Sequence, residues 1–175
     1  MTIEFIITLL ILLVIGAYSR TRPTWKKGKG IIAKDAKVGE GTSVWHYVNL
    51  IGCEIGKGCI IGSFSEIGGK IGDGCKIEYG VFIPSGVIIE DNVFIGPHAC
   101  FTNDQFPRAY GDWDLKSTLV KERASIGANA TIRCGVTIGK HAMIGCGAII
   151  TKDVPAYAIV VGTNEIIGDV RNRNT

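Results

Sequence analysis

Residues 71–101 read IGDGCKIEYGVFIPSGVIIEDNVFIGPHACF, and every sixth position holds a large apolar side chain: Ile71, Ile77, Ile83, Ile89, Ile95 and Phe101. After a break the same spacing returns at Val120, Ile126, Ile132, Ile138, Ile144 and Ile150. A helix repeats every 3.6 residues and a plain strand every two, so neither calls for this interval. A very short strand closed by a turn does, with one large side chain per strand aimed at a common axis. Glycine follows many of the inward residues, as at Gly72, Gly96, Gly127, Gly139 and Gly145, and turn formers such as Gly74, Gly86, Asn92 and Asn129 come slightly later. Repeats of this length belong to parallel β-solenoids.

Upstream, Val38, Val44 and Leu50 join the same rows, followed by Ile55, Ile61 and Ile67. The next gap, to Ile71 across Gly68, Gly69 and Lys70, is only four, and the double glycine permits the tighter corner. Three strands per eighteen-residue turn make a three-sided prism of about six coils, stacked at roughly the 4.8 Å strand spacing. The expected fold is all-β, a parallel β-helix over residues 31–162, with its flat faces packed into a symmetric oligomer. Residues 163–175 are expected as a C-terminal tail.

Composition narrows the function. The 175-residue chain has 24 glycines and a formal net charge of +3. No basic stripe is interleaved with aromatics, so nucleic acid is not an expected partner. The six cysteines contain no C-x-x-C pair and fall in repeat slots, as reduced small fillers. No H-x-x-x-x-H pair occurs either, and metal is not expected.

Residues 1–19 are a different kind of sequence. Ile3 to Tyr18 is nearly all apolar, with Glu4 its single charge, and sixteen helical residues would span about 24 Å against a hydrocarbon core of roughly 30 Å. Arg20, Arg22, Lys26, Lys27 and Lys29 follow in a basic linker, residues 20–30. That order predicts a transmembrane anchor helix with the body of the protein on the cytoplasmic side. The alternative is a helix lying on the end of the oligomer. Pro23 separates the apolar segment from the solenoid.

Between Phe101 and Val120 the rows break, and residues 102–119, TNDQFPRAYGDWDLKSTL, leave the prism as a loop rich in polar and aromatic side chains. Loops of this kind tend to carry function. The segments IEDNVFIGPHACFTND with PRA beyond it, TLVKERASIGANATI and TKDVPAYA together resemble the left-handed β-helix (hexapeptide-repeat) acyltransferases. Among these the chain is most similar to the N-acetyltransferases that act on nucleotide-linked 3-amino sugars for lipopolysaccharide and O-antigen synthesis. The resemblance runs from about Val44 to Val161. It implies a homotrimer with sites between neighbouring prisms, acetyl-CoA as cosubstrate and a nucleotide-linked amino sugar as acceptor.

By the same resemblance Asn103 and Asp104 line the sugar and thioester site, Asp104 aligning the amine first and accepting its proton second. Arg108, of the same motif, falls on the substrate side. His46, in VWHYVN, matches a Trp-His-aromatic segment and is expected to face nucleotide or sugar. Ser85 stands where the family often has glutamate, so the substrate site loses a charge. CoA phosphates are expected to meet Lys140, Lys152 and the terminal Arg171 and Arg173, near the backbone turn at Gly162. The tail departs from the family, reading Val161-Gly162-Thr163-Asn164-Glu165 where relatives have V-G-N-P-A. Two alternatives stay open: O-acetylation of a sugar hydroxyl, with His46 or a neighbouring subunit's histidine as base, and a catalytically silent membrane-proximal scaffold.

Overall fold

In the computed structural model residues 26–172 are described, and they form a three-walled parallel β-solenoid. The first wall begins with Lys26–Lys27 and Ser43–Val44 and runs to Met143–Ile144 and Ala158–Val161. The second runs from Ile32–Lys34 to Ile149–Ile150, and the third from Lys37–Val38 to Thr137–Ile138. Seven strands in the second wall count seven turns, and Ala158–Val161 opens an eighth.

The six-residue spacing works because each strand turns one large side chain inward and the next turn places another directly over it. Ile77 pairs with Ile61 and Ile95, and Ile83 with Ile67. Every inward position expected from Val44 to Ile150 is at most 4% exposed. Burying each isoleucine or leucine contributes about 1.5–3 kcal/mol before conformational entropy is subtracted.

The prism is longer than the expected six coils, and it starts inside the expected basic linker. Lys26–Lys27 pairs in parallel with Ser43–Val44, and Ala33 lies over Leu50. In this first turn Lys27 and Ala33 hold the slots that Val44 and Leu50 fill next, so hydrophobic spacing cannot reveal it. The far end also differs from a tail: Glu165–Asp169 folds back antiparallel on Ala158–Val161, with a 3₁₀ turn at Val170–Asn172 behind it. The expected transmembrane segment 1–19 and Arg173 lie outside the described residues. Among the described residues, no helix is long and apolar enough to cross a membrane.

The double glycine answers to crowding. A Cβ on Gly69 would stand 2.4 Å from the Val87 carbonyl oxygen, and one on Gly68 would be 3.1 Å from the Ser85 nitrogen. All six cysteines are free thiols. Cys53, Cys59, Cys75 and Cys134 are buried fillers, but Cys146 is exposed at a corner.

Candidate active site

The walls meet at three edges: first to second, second to third, and third back to first. Ser85, Asn103, Asp104, Arg108 and Lys152 lie on the second edge. His46 and Gly162 lie on the first, and Lys140 on the third. One protomer therefore does not gather the expected site residues into one cleft.

The excursion from the solenoid is two residues shorter than expected. Thr118 and Leu119 already belong to the third wall, opposite Val87 and Ile88, so the loop is residues 102–117. The ladder runs on across it, with Cys100 opposite Thr131 and Val87 opposite Thr118. The loop's base is a short antiparallel finger. Asp104 bridges Leu115, and the Lys116 amide donates to the Asn103 carbonyl at 3.0 Å. Leu115 covers Gly86, where a Cβ would come within 3.0 Å of its Cδ2.

Asn103 and Ser85 do meet. The Asn103 amide Nδ2 donates to the Ser85 carbonyl oxygen at 3.1 Å and to Ser85 Oγ at 3.3 Å. With both contacts on nitrogen, Oδ1 is left as the acceptor the side chain can present. Asp104 uses Oδ1 to hold the loop, accepting from the Phe106 amide at 3.0 Å and the Asp114 amide at 3.4 Å. Arg108 turns back on the loop as well, its Nη2 donating to the Asp112 carbonyl at 3.1 Å.

His46 is committed to the first turn: its Nδ1 accepts from the Lys29 amide at 2.9 Å, so in the neutral ring the proton sits on Nε2. Lys140 is paired with Glu122 at 2.7 Å, and this hydrogen bond raises the lysine's pKa while holding the Glu122 carboxyl below its ordinary value. Lys152 sits at a corner where its amide and that of Thr151 donate to Asn164 Oδ1, at 3.2 and 2.8 Å. Asn164 thus closes the turn after Gly162, whose φ is +56°, without the proline of the family pattern. Arg171 is occupied by Asp169 and lies 4.6 Å from the Tyr157 ring centroid.

Two features were missed in the sequence. A groove of about 420 Å³ crosses the last turns of the third wall, lined by Lys121, Thr137, Lys140, Asp153 and Pro155. Its residues are spread over three repeats, and only Lys140 was singled out. The other is an aromatic ridge on the first edge: Trp45, Tyr47, Phe64 and Tyr79, each roughly half exposed or more. Tyr47 and Phe64 stack at 5.5 Å. The signal was there, since these aromatics recur one to three places after an inward residue. Among the described residues, no cluster of three His, Cys, Asp or Glu side chains could hold a metal.

Sequence comparison bears on the repeats themselves. Residues 70–103 and 117–152 match the bacterial transferase hexapeptide (six repeats), and residues 53–85 match the hexapeptide repeat of succinyl-transferase. The chain fits the hexapeptide-repeat acyltransferase family. The two matched stretches of the first description lie on either side of the loop, with residues 104–116 between them. No curated protein sequence matches the chain significantly.

Solved structures share the fold at low identity. A perosamine N-acetyltransferase variant from Caulobacter crescentus, in complex with CoA and GDP-perosamine, is 21% identical with a TM-score of 0.51, over 80% of this chain and 54% of that one. The UDP-N-acetylglucosamine acyltransferase of Francisella novicida is 18% identical with a TM-score of 0.65, over 80% and 57%. The acetyltransferase domain of PglB from Neisseria gonorrhoeae, in complex with acetyl coenzyme A, is 20% identical with a TM-score of 0.51, over 81% and 53%. The chain spans little more than half the length of each of these proteins.

Proposed function

We propose that the protein is an N-acetyltransferase that moves the acetyl group of acetyl-CoA to the amine of a nucleotide-linked amino sugar. It would work as a trimer of left-handed β-helices tethered to the cytoplasmic face of a membrane by residues 1–19. The observation that carries the reading is the Asn103–Ser85 contact at the root of the single long loop. It holds the Asn103 amide by its nitrogen at the point where the chain leaves the hexapeptide repeat.

In the reaction the amine lone pair attacks the thioester carbonyl carbon, a C–N bond forms and the C–S bond breaks. The amine's proton leaves with the CoA sulfur as thiol, or passes through Asp104. The Asn103 Oδ1 accepts a hydrogen bond from the amine and aims its lone pair, so positioning supplies most of the acceleration. Asp104 aligns the site by holding the loop closed, and Arg108 stiffens the loop's outer turn. Ser85 replaces a family glutamate with a neutral group that also orients Asn103. CoA is assigned to the third-wall groove beside Lys121 and Lys140, with Lys152 on the adjoining second edge, while Gly162, on the first edge, would reach CoA only from a neighbouring prism of the trimer. His46 joins the site from the adjacent prism of the trimer, whose edges bring together residues that one protomer holds apart.

The O-acetyl alternative needs a histidine base, and His46 Nδ1 is already taken by the Lys29 amide. The test is turnover with acetyl-CoA and a panel of nucleotide-linked amino sugars beside their hydroxyl counterparts. Acetylation of amines alone supports the proposal. Acetylation of hydroxyls alone, or no turnover and no thermal stabilisation by CoA or any nucleotide sugar, defeats it.

A further inference from the structure

We propose that the tip of the loop, residues 105–114, seats on the first edge of a neighbouring copy of this chain, so that each acceptor site is closed by aromatic side chains from two copies. The inference deepens the trimeric reading above and rests on it. The partner is a second copy, and the surfaces that meet are the loop tip and the aromatic ridge.

Both surfaces carry large aromatic side chains that their own copy leaves unburied. On the loop, Phe106, Tyr110 and Trp113 are 63%, 80% and 59% exposed. The loop is fastened by polar groups instead, through Asp104 and Arg108. On the ridge, Trp45, Ile60, Phe64 and Tyr79 border an open cleft of about 590 Å³, roomy enough for an aromatic side chain. Tyr47 and Phe64 stand at corners with φ values of 57° and 62°, where other turns use Gly80, His98 or Asn129. Bulky residues rarely occupy that left-handed region, and such outliers gather at functional surfaces.

The two surfaces also lie at matching heights. The loop leaves the solenoid one turn after the corner that holds Tyr79, since Asn103 rests on Ser85 and Ser85 follows Tyr79 in its own turn. Residues 105–114 lie beyond the Asp104–Leu115 bridge, and about five residues per arm reach roughly 15 Å, or about three strand spacings. The ridge occupies three successive turns, from Trp45 through Phe64 to Tyr79, within that reach. Beyond the loop's own level the first-edge corners hold small residues, Ala128 and Asn129, then Cys146 and Gly147. Copies related by rotation about an axis parallel to the prisms stand level, so the tip meets only corners it can reach along that axis.

The walls agree with this contact. The first and second edges bound the second wall, so a trimer in which one copy's second edge meets the next copy's first edge turns the second wall toward the axis. That wall exposes Ile51, Phe82 and Ile149. The third wall, which then faces away from the axis, begins with the ion-paired ladder Lys37–Glu54–Lys70, at 2.9 and 3.3 Å. Seven aromatic side chains of roughly 150–250 Å², each about half exposed or more, bring on the order of 800 Å² to one contact. A stable interface takes about 1,200–2,000 Å², and the apolar second wall supplies the remainder. Seated in this way, the tip sets the neighbour's first edge, with its His46, beside the loop root that holds Asn103.

The experiment places the photocrosslinker p-benzoylphenylalanine at Tyr110 of the full chain, solubilised in detergent, with and without Phe64→Ser and Tyr79→Ser in the same chain. Illumination should yield bands at two and three times the 18.7 kDa chain mass, with peptide mapping putting the attachment between residues 45 and 79. The ridge substitutions should cut that yield at least about fivefold while the thermal transition stays within a few degrees. Attachment within one copy, to another copy's loop, to residues 1–25 or to another wall overturns the proposal, and so does no attachment at all. A yield that ignores the ridge substitutions overturns it too. The measurement needs no substrate, so its outcome is separate from that of the turnover assay. Attachment at the ridge in a chain without acetyl transfer keeps this contact and removes the chemistry. Turnover with the attachment elsewhere keeps the chemistry and removes this contact.

Discussion

Asn103 and Ser85 show how a short contact can define a site. Ser85 offers two acceptors to one amide, and only Oγ belongs to its side chain. Ser85→Ala should therefore lower kcat no more than about tenfold, the backbone bond surviving, since a single neutral hydrogen bond is worth about 0.5–1.5 kcal/mol. Asn103→Ala removes the positioned oxygen as well, and kcat should fall by about 100-fold or more with the thermal transition kept within a few degrees. A kcat unchanged by Asn103→Ala would remove this residue from the chemistry. Gly69→Ala is the matching structural test. Its new methyl would meet the Val87 carbonyl at 2.4 Å, and backbone cannot swing aside as a side chain can. The expected loss is about 1–3 kcal/mol in urea unfolding.

At the scale of elements, the loop and the closing hairpin have separate fastenings. Asp104 ties the loop through Oδ1, so Asp104→Asn should keep it folded and Asp104→Ala should release it. Limited proteolysis between residues 105 and 114 should be fast only in the alanine variant. If the asparagine variant keeps most of its turnover, alignment outweighs proton transfer at this carboxyl. At the far end, hydrogen bonding from the Arg171 guanidinium depresses the Asp169 carboxyl from 3.8 to about 2. A depressed folded-state pKa means that the fastening is present above the ordinary value and is lost as pH falls through about 2. NMR titration of Asp169 should give that midpoint, and Asp169→Asn should speed carboxypeptidase trimming at neutral pH. A midpoint near 3.8 would show that the pair does not persist in solution.

Across the whole molecule, the hexad rows were readable because each buried position is filled by the same kind of side chain, and one missed turn shows the limit. Lys27 and Ala33 stand in register with Val44 and Leu50 in the first described turn, but neither is a large apolar side chain, so the six-residue spacing passes over them. The candidate site was readable only in part: Asn103 and Ser85 meet, whereas Lys140 and His46 lie on other edges, and a linear reading cannot tell which edge a corner residue reaches. The aromatic ridge escaped because corner residues fall off the six-residue rows. Thiol labelling offers a check on the whole solenoid. Cys146 should react promptly in the native protein, while burial pushes the Cys53 thiol up to about 11 and keeps it silent until denaturant is added. Prompt labelling of Cys53 would mean that the stacked core opens readily. Sedimentation of detergent-solubilised protein should give three times the 18.7 kDa chain mass, and a monomer that retains turnover would contradict the shared site.

The ladder passes beneath the loop without losing step, and this has a bearing on how such proteins diversify. Cys100 finds Thr131 and Val87 finds Thr118 whatever the sixteen intervening residues do, so the scaffold's folding and the detour's content are separately mutable. A donor segment of different length, spliced between Thr102 and Ser117, should leave the prism intact and reset which acceptor is welcomed. New specificities could then arise by exchanging one module, with the isoleucine rows inherited untouched.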